Sequence, residues 1–334
     1  MTAKGVAVVT GASAGVGRAV VRAFAHAGYD VGLVARGSEG LEADRCEAEA
    51  AGVRASVAVA DVADATAVDA AAAQFERDLG AISVWINVAF SNVFAEFTDL
   101  TAAEYRRITE VTYLGYVHGT MAALRYMMPR NRGLIVQVGS ALSYRSIPLQ
   151  SAYCGAKAAI RGFTDSLRSE LLHHKSRIRL SLALLPAVNT PQFSWCRSKL
   201  PRRAQPVPPI YQPEVIARAI LWLARHPRRE LPIGWPVVKA LLGQMLVPGY
   251  VDRVLAKSGY ESQQYDGARP VEQPDNLEHP LPGDWGAHGD FDARSRARSW
   301  HLWLVMNKTP LVWAAITLSI VALGFRRARL RGSQ

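Results

Sequence analysis

A serine, a tyrosine and a lysine stand at intervals that suit proton transfer. Ser140 closes a β-branched run, and thirteen residues later Tyr153-Cys154-Gly155-Ala156-Lys157 falls within a helical stretch. An i, i+4 interval puts a phenol and an ammonium on one helical face. A phenol of ordinary pKa, about 10, is a poor acid–base group at neutral pH, but a neighbouring cation favours the phenolate and lowers that value. Tyr153 is thus a candidate general acid/base, Lys157 its electrostatic partner, and Ser140 a donor for a carbonyl oxygen on which alkoxide charge develops. A second group is Thr10-Gly11-Ala12-Ser13-Ala14-Gly15-Val16-Gly17, which follows the first apolar run and opens a helix. Glycines at a strand-to-helix turn allow a tight bend, close approach of a pyrophosphate and presentation of helix N-terminal amides to its charge. Gly11, Ser13, Gly15, Val16 and Gly17 are the candidate contacts. At the end of the second strand, where an NAD site places an acid, stands Arg36. A guanidinium suits a 2′-phosphate, so NADP(H) is favoured over NAD. Glu39 lies close in sequence, which leaves open a solvated loop charge at Arg36.

These residues need elements to hold them. Strands are expected at Val6 to Val9, Val31 to Ala35, Ala55 to Val59, Val84 to Val88, Leu134 to Val138 and Arg179 to Leu184. Ala-rich stretches at helical spacing lie between them, including Arg18 to Ala27, Asp64 to Leu79, Ala102 to Met127 and Ser151 to Leu172. The alternation predicts an α/β chain, a doubly wound parallel sheet (Rossmann fold) forming a single catalytic domain. Eleven of the eighteen prolines fall between Pro186 and Pro248, and one helix, Glu214 to Arg225, is expected to survive there. The domain reading is a catalytic unit over 1–250, an extended polar segment over 251–299, and an apolar helix with a basic tail over 300–334.

With its motifs in this order, the chain resembles the short-chain dehydrogenase/reductase (SDR) family over about residues 4 to 235. The resemblance rests on Thr10 to Gly17, Asp61-Val62, Asn87 after the fourth strand, and Ser140, Tyr153 and Lys157. It implies that Asp61 and Val62 contact adenine, that Asn87 helps hold the fourth strand, and that Lys157 also binds the nicotinamide ribose. Val188 and Thr190 would lie at the nicotinamide carboxamide. The chain departs from the family pattern at three places. Asn87-Val88-Ala89 replaces Asn-Ala-Gly, Thr112 takes the place of an asparagine in a water relay to the lysine, and Leu185-Pro186 replaces Pro-Gly.

The 334 residues are 49% hydrophobic and 20% charged, which excludes wholesale disorder and a polytopic membrane protein. The net charge of +11 is uneven, with 19 basic and 17 acidic side chains up to residue 190 and 20 and 11 beyond it. Cys46, Cys154 and Cys196 show no metal-ligand spacing, so no metal site is expected, and a reducing, cytoplasmic setting is the simplest reading. Apolar residues in the loops 141–150 and 191–211, namely Leu142, Tyr144, Ile147, Leu149, Phe193 and Trp195, fit a bulky apolar substrate; packing beneath the loops fits them equally. Pro310 to Phe325 carries no charge and is followed by four arginines within Arg326 to Arg331. Sixteen residues rise about 24 Å, short of a full bilayer core, so a membrane surface, shallow insertion, a transmembrane helix or a packing helix all remain open for 300–334. Since every assigned catalytic position precedes Pro191, removing 300–334 is expected to leave the enzyme intact. The expected activity is NADP-dependent hydride transfer to or from a carbonyl or secondary alcohol. Expected partners are that small molecule and a second copy of the chain, without nucleic acid. A catalytically dead dinucleotide-binding scaffold and a membrane-attached interaction protein are the rival readings.

Overall fold

A computed structural model describes residues 4–268 and 273–308. Its centre is a sheet of seven parallel strands: β1 (Val6–Thr10), β2 (Asp30–Ala35), β3 (Ala55–Val59), β4 (Ile82–Asn87), β5 (Leu134–Ser140), β6 (Arg179–Leu185) and β7 (Glu230–Pro232). Their order across the sheet is β7-β6-β5-β4-β1-β2-β3. The order in which strands are added therefore reverses between β1 and β4, where a doubly wound sheet opens a crevice at its carboxyl edge. The six long expected strands all form; β1 and β5 are buried at every position, as strands covered on both faces must be.

Helices α1 (Gly15–His26), α2 (Ser38–Ala50) and α7 (Pro213–Arg225) cover one face, and α3 (Ala65–Asp78), α5 (Gly115–Arg130) and α6 (Ser151–His173) the other. Val20, Phe24, Ile216 and Ile220 fill the first side against Val9 and Leu33; Val68, Phe75 and Met127 fill the second against Val8 and Trp85. The long helix expected from Ala102 is three pieces: α4 (Ala102–Thr109), a π-helical turn at Glu110–Leu114, and α5. A wide turn of that kind commonly marks a functional position, and here it carries Thr112.

The proline-rich region holds more helix than expected. Besides α7 it forms a short helix at Gln192–Trp195, then α8 (Trp235–Leu246) and α9 (Pro248–Ser258). Pro236 and Pro248 each sit in a first turn, where a missing N–H costs nothing and the fixed φ suits the helix. Residues 251–258 are accordingly helical, and the irregular segment starts after them. Residues 300–308 are again helical, with Leu302 only 4% exposed in the main core. That burial corrects the expected truncation point, because a cut before residue 300 removes a core side chain. The uncharged run Pro310 to Phe325 and its arginines lie outside the described residues. Among the described residues no helix is long and apolar enough to cross a membrane, and no His, Cys, Asp and Glu cluster would hold a metal ion.

Candidate active site

Parallel strands deliver the candidate residues to one edge. The glycine turn follows β1, Arg36 follows β2, Asp61-Val62 follows β3, Ala89 to Asn92 follow β4, and Ser140 ends β5. A crevice runs from Gly11, Gly15, Arg36 and Asp61 to Thr190. It continues through Val16, Val88 and Thr190 into a cavity lined by Ser140, Tyr153, Lys157 and Val188. The glycines are required by geometry. A Cβ on Gly17 would lie 1.9 Å from Gly11 O; Gly11 has φ +71° and its Cβ would meet Ala89 Cα at 2.8 Å. Ala14, which caps α1, offers its first-turn amides no side-chain acceptor. Gly15 N donates to Gly286 O (2.9 Å), and the cradle of amides around it at the helix N-terminus fits the pyrophosphate of a dinucleotide.

Tyr153 and Lys157 occupy the first two turns of α6. Tyr153 packs edge-on against Phe90, with ring centroids 5.7 Å apart. Burial raises its phenol pKa above the ordinary value, the adjacent Cys154 adds to the rise, and a hydrogen bond with Ser140 opposes it. Lys157 is 1% exposed, and burial pulls its ammonium down to about 7. Its Nζ donates to Val138 O (2.7 Å) and to Tyr116 Oη (2.9 Å), while Tyr116 donates to the same carbonyl (3.0 Å). The sequence expectation that Lys157 depresses the Tyr153 pKa is therefore not met. The ammonium turns toward α5 and β5, and its own charge is weakened by burial. Tyr116, itself fully buried, is a partner that sequence spacing did not reveal, since it reaches Lys157 from another helix.

Asn87 stands apart from the crevice. Its carboxamide accepts from Trp85 Nε1 (2.8 Å) and donates to Gln137 Oε1 (2.9 Å), so it locks β4 to β5. Its place in the cofactor set is through the strand it holds. Thr112 Oγ1 accepts from Ser91 N (3.0 Å) and donates to Ser91 O (2.9 Å), pinning the loop after β4. Both of its bonds go to that backbone, and the hydroxyl is fully buried. Thr10 Oγ1 accepts from Val88 N (3.1 Å) and Ala89 N (3.3 Å), which ties the altered Asn-Val-Ala loop to β1.

Arg36 meets an unexpected neighbour. Its guanidinium donates to the carbonyls of Asn276, Leu277 (3.2 Å) and Glu278 (2.9 Å), in the segment after the sheet. Arg107 pairs with Asp61 and donates to Leu277 O (3.0 Å). Glu39 accepts from Gly283 N and does not line the crevice, which removes it from competition for the ribose.

At the catalytic end, Leu142, Ile147 and Phe193 line the cavity as expected. Three of the other loop residues do not. Tyr144 bonds Glu230 (2.7 Å) and stacks with Arg161, Leu149 is buried with Phe94 and Leu200, and Trp195 faces the cofactor end.

Comparison with known proteins agrees with this geometry. The short chain dehydrogenase family pattern matches residues 5–199. The chain is 30% identical over 322 residues to the uncharacterized oxidoreductase YxnA of Bacillus subtilis (strain 168), covering 95% of this chain and 89% of that protein. It is also 30% identical to a fatty acyl-CoA reductase of Acinetobacter baylyi, over 67% of this chain and 74% of that one. Among solved structures, an alcohol dehydrogenase from the archaeon Thermococcus sibiricus, complexed with 5-hydroxy-NADP, superposes with a TM-score of 0.58 at 28% identity. That match covers 68% of this chain and 94% of the other.

Proposed function

The chain belongs to the short chain dehydrogenase family of oxidoreductases, and on that premise we propose that it transfers a hydride between NADP(H) and a carbonyl or secondary alcohol of a bulky apolar molecule. The observation that carries this reading is the meeting of Ser140, Tyr153 and Lys157 in one cavity continuous with the glycine cradle. When bound, the nicotinamide supplies or accepts the hydride. In the reductive direction, Ser140 Oγ donates to the substrate carbonyl oxygen and holds it as negative charge grows. Tyr153 passes its hydroxyl proton to that oxygen. Lys157 offers its remaining N–H toward the ribose and the phenol while Tyr116 and Val138 fix its far side. Asp61 and Val62 bound the adenine end, and Val188 and Thr190 the carboxamide end.

Arg36 supports the preference for NADP. Its partners are neutral carbonyls, which orient the guanidinium without cancelling its charge, and among the described residues its Nε has no partner. Leu142, Ile147, Phe90 and Phe193 support an apolar substrate, and the similarity to a fatty acyl-CoA reductase points the same way. A membrane surface suits such a substrate. Trp300 (79% exposed), Trp303 and Leu304 stand out from the last described helix, and Met245, Leu246 and Tyr250 from the α8–α9 corner. We read these together with the uncharged run and its arginines as a cytoplasmic-face membrane contact.

Tyr153→Phe tests the mechanism, because it deletes only the hydroxyl. Turnover across a panel of apolar aldehydes, ketones and alcohols is expected to fall at least about a hundredfold, with NADPH binding retained. Normal turnover by that variant would overturn the mechanism; NADPH binding without turnover by the unaltered protein would favour a dinucleotide-binding scaffold.

A further inference from the structure

The segment beyond the sheet does more than wrap the core. Residues 276–292 cross the carboxyl edge and are fastened at both ends and in the middle. Asn276, Leu277 and Glu278 give their carbonyls to Arg36, and Leu277 gives its carbonyl to Arg107 as well. Asp284 pairs with the buried Arg18 of α1 (3.1 Å), whose other partners include Glu47 (2.9 Å). Gly286 O accepts from Gly15 N in the glycine turn (2.9 Å). At the far end Asn189 accepts from Phe291 N (3.1 Å) and donates to Asp292 (2.8 Å). Between these fastenings Asn276, Pro280, Leu281, Gly283 and Trp285 face the crevice opposite the glycines.

Resting on the dinucleotide reading above, we propose that this strap is the outer wall of the NADP(H) site. It covers the adenosine half and aims Arg36 at the 2′-phosphate. The wall comes from outside the matched family segment, so the chain supplies its own closure to a crevice that the doubly wound sheet leaves open on one side. Two consequences follow from the bonding. A nucleotide entering between the glycine turn and Trp285 is enclosed, so its departure requires the strap to lift. Arg36 owes its orientation to three strap carbonyls, so lifting the strap also loosens the contact that distinguishes NADPH from NADH. Pre-ordering a charged donor with neutral acceptors lowers the entropy lost on binding an anion.

The first measurement uses the unaltered full chain. Hydrogen exchange across 276–286 is expected to slow on adding NADPH, and to slow less with NADH. The second is the NADPH dissociation rate of Asp284→Ala, read by fluorescence of the reduced nicotinamide after a chase with excess NADP+. Loss of the Arg18 anchor is expected to speed release about five- to tenfold and to narrow the NADPH-over-NADH preference. Faster exchange in the strap on adding NADPH would show that it is displaced, and would overturn the proposal. So would an unchanged release rate in Asp284→Ala. If that variant does not fold, the exchange measurement decides alone. A protein that binds neither nucleotide in the initial titration overturns the parent reading, and that failure is seen before any strap residue is altered.

Discussion

Replacing Lys157 by methionine is expected to stabilise the cofactor-free protein, most strongly at low pH, while abolishing turnover. Methionine has nearly the volume of the lysine stem, so the perturbation removes a charge and two hydrogen bonds without opening a large cavity. Lys157 is 1% exposed, and burial lowers its pKa from 10.5 to about 7. At pH 6 the native and unfolded chains both hold the proton, and the fold carries the whole cost of burying an ammonium. Between pH 7 and 10.5 the unfolded chain holds the proton and the native chain does not, so wild-type stability rises with pH there. At about 1.4 kcal/mol per pH unit, the wild type should gain about 3 kcal/mol on the variant between pH 6 and pH 9. The hydrogen bonds lost to Val138 O and Tyr116 Oη, about 1 kcal/mol each, offset the variant's advantage nearly equally at every pH. The pH dependence therefore isolates the charge. Urea unfolding of both proteins at pH 6, 7, 8 and 9, with unchanged denaturant slopes, measures it. A stability difference that stays flat, or grows in the variant's favour as pH rises, would refute the reasoning and show that Lys157 keeps its proton by other means.

Two further outcomes bear on the cofactor and the C-terminus. Arg36→Asp should weaken NADPH binding about ten- to a hundredfold relative to NADH, since one charge-assisted contact is worth about 1.5 to 3 kcal/mol; parallel titrations decide, and equal losses would remove Arg36 from the 2′-phosphate role. Ending the chain after Lys308 should abolish pelleting with anionic vesicles and keep the fold, whereas ending it before residue 300 should also cost about 2 to 4 kcal/mol through loss of buried Leu302. Retained sedimentation of the chain ending at Lys308 would remove the uncharged run from the membrane contact and leave it to Trp300, Trp303 and the α8–α9 corner.

The amino-acid order by itself determined the parts of this protein whose causes are local. Buried parallel strands must be apolar on both sides, so the β-branched runs at 6–9, 31–35 and 134–138 are visible without any partner. A strand-to-helix turn that must admit a phosphate needs glycine at Gly11, Gly15 and Gly17, and an i, i+4 pair on one helix needs only its spacing, so the site's main residues are legible too. Proline misled the reading, because its effect depends on where a helix begins: Pro236 and Pro248 look like interruptions in sequence and serve as first-turn residues in the fold. Tertiary structure alone decided what those residues experience. Lys157 finds Tyr116 across 41 positions, and the charge it can keep is set by desolvation from elements that do not touch it in sequence. Arg36 is held from 240 positions away by a polar segment with no periodicity. Arg36 and Arg107 hold the strap by its backbone carbonyls, and a carbonyl is the same group in every residue, so no pattern of side-chain types could announce those contacts.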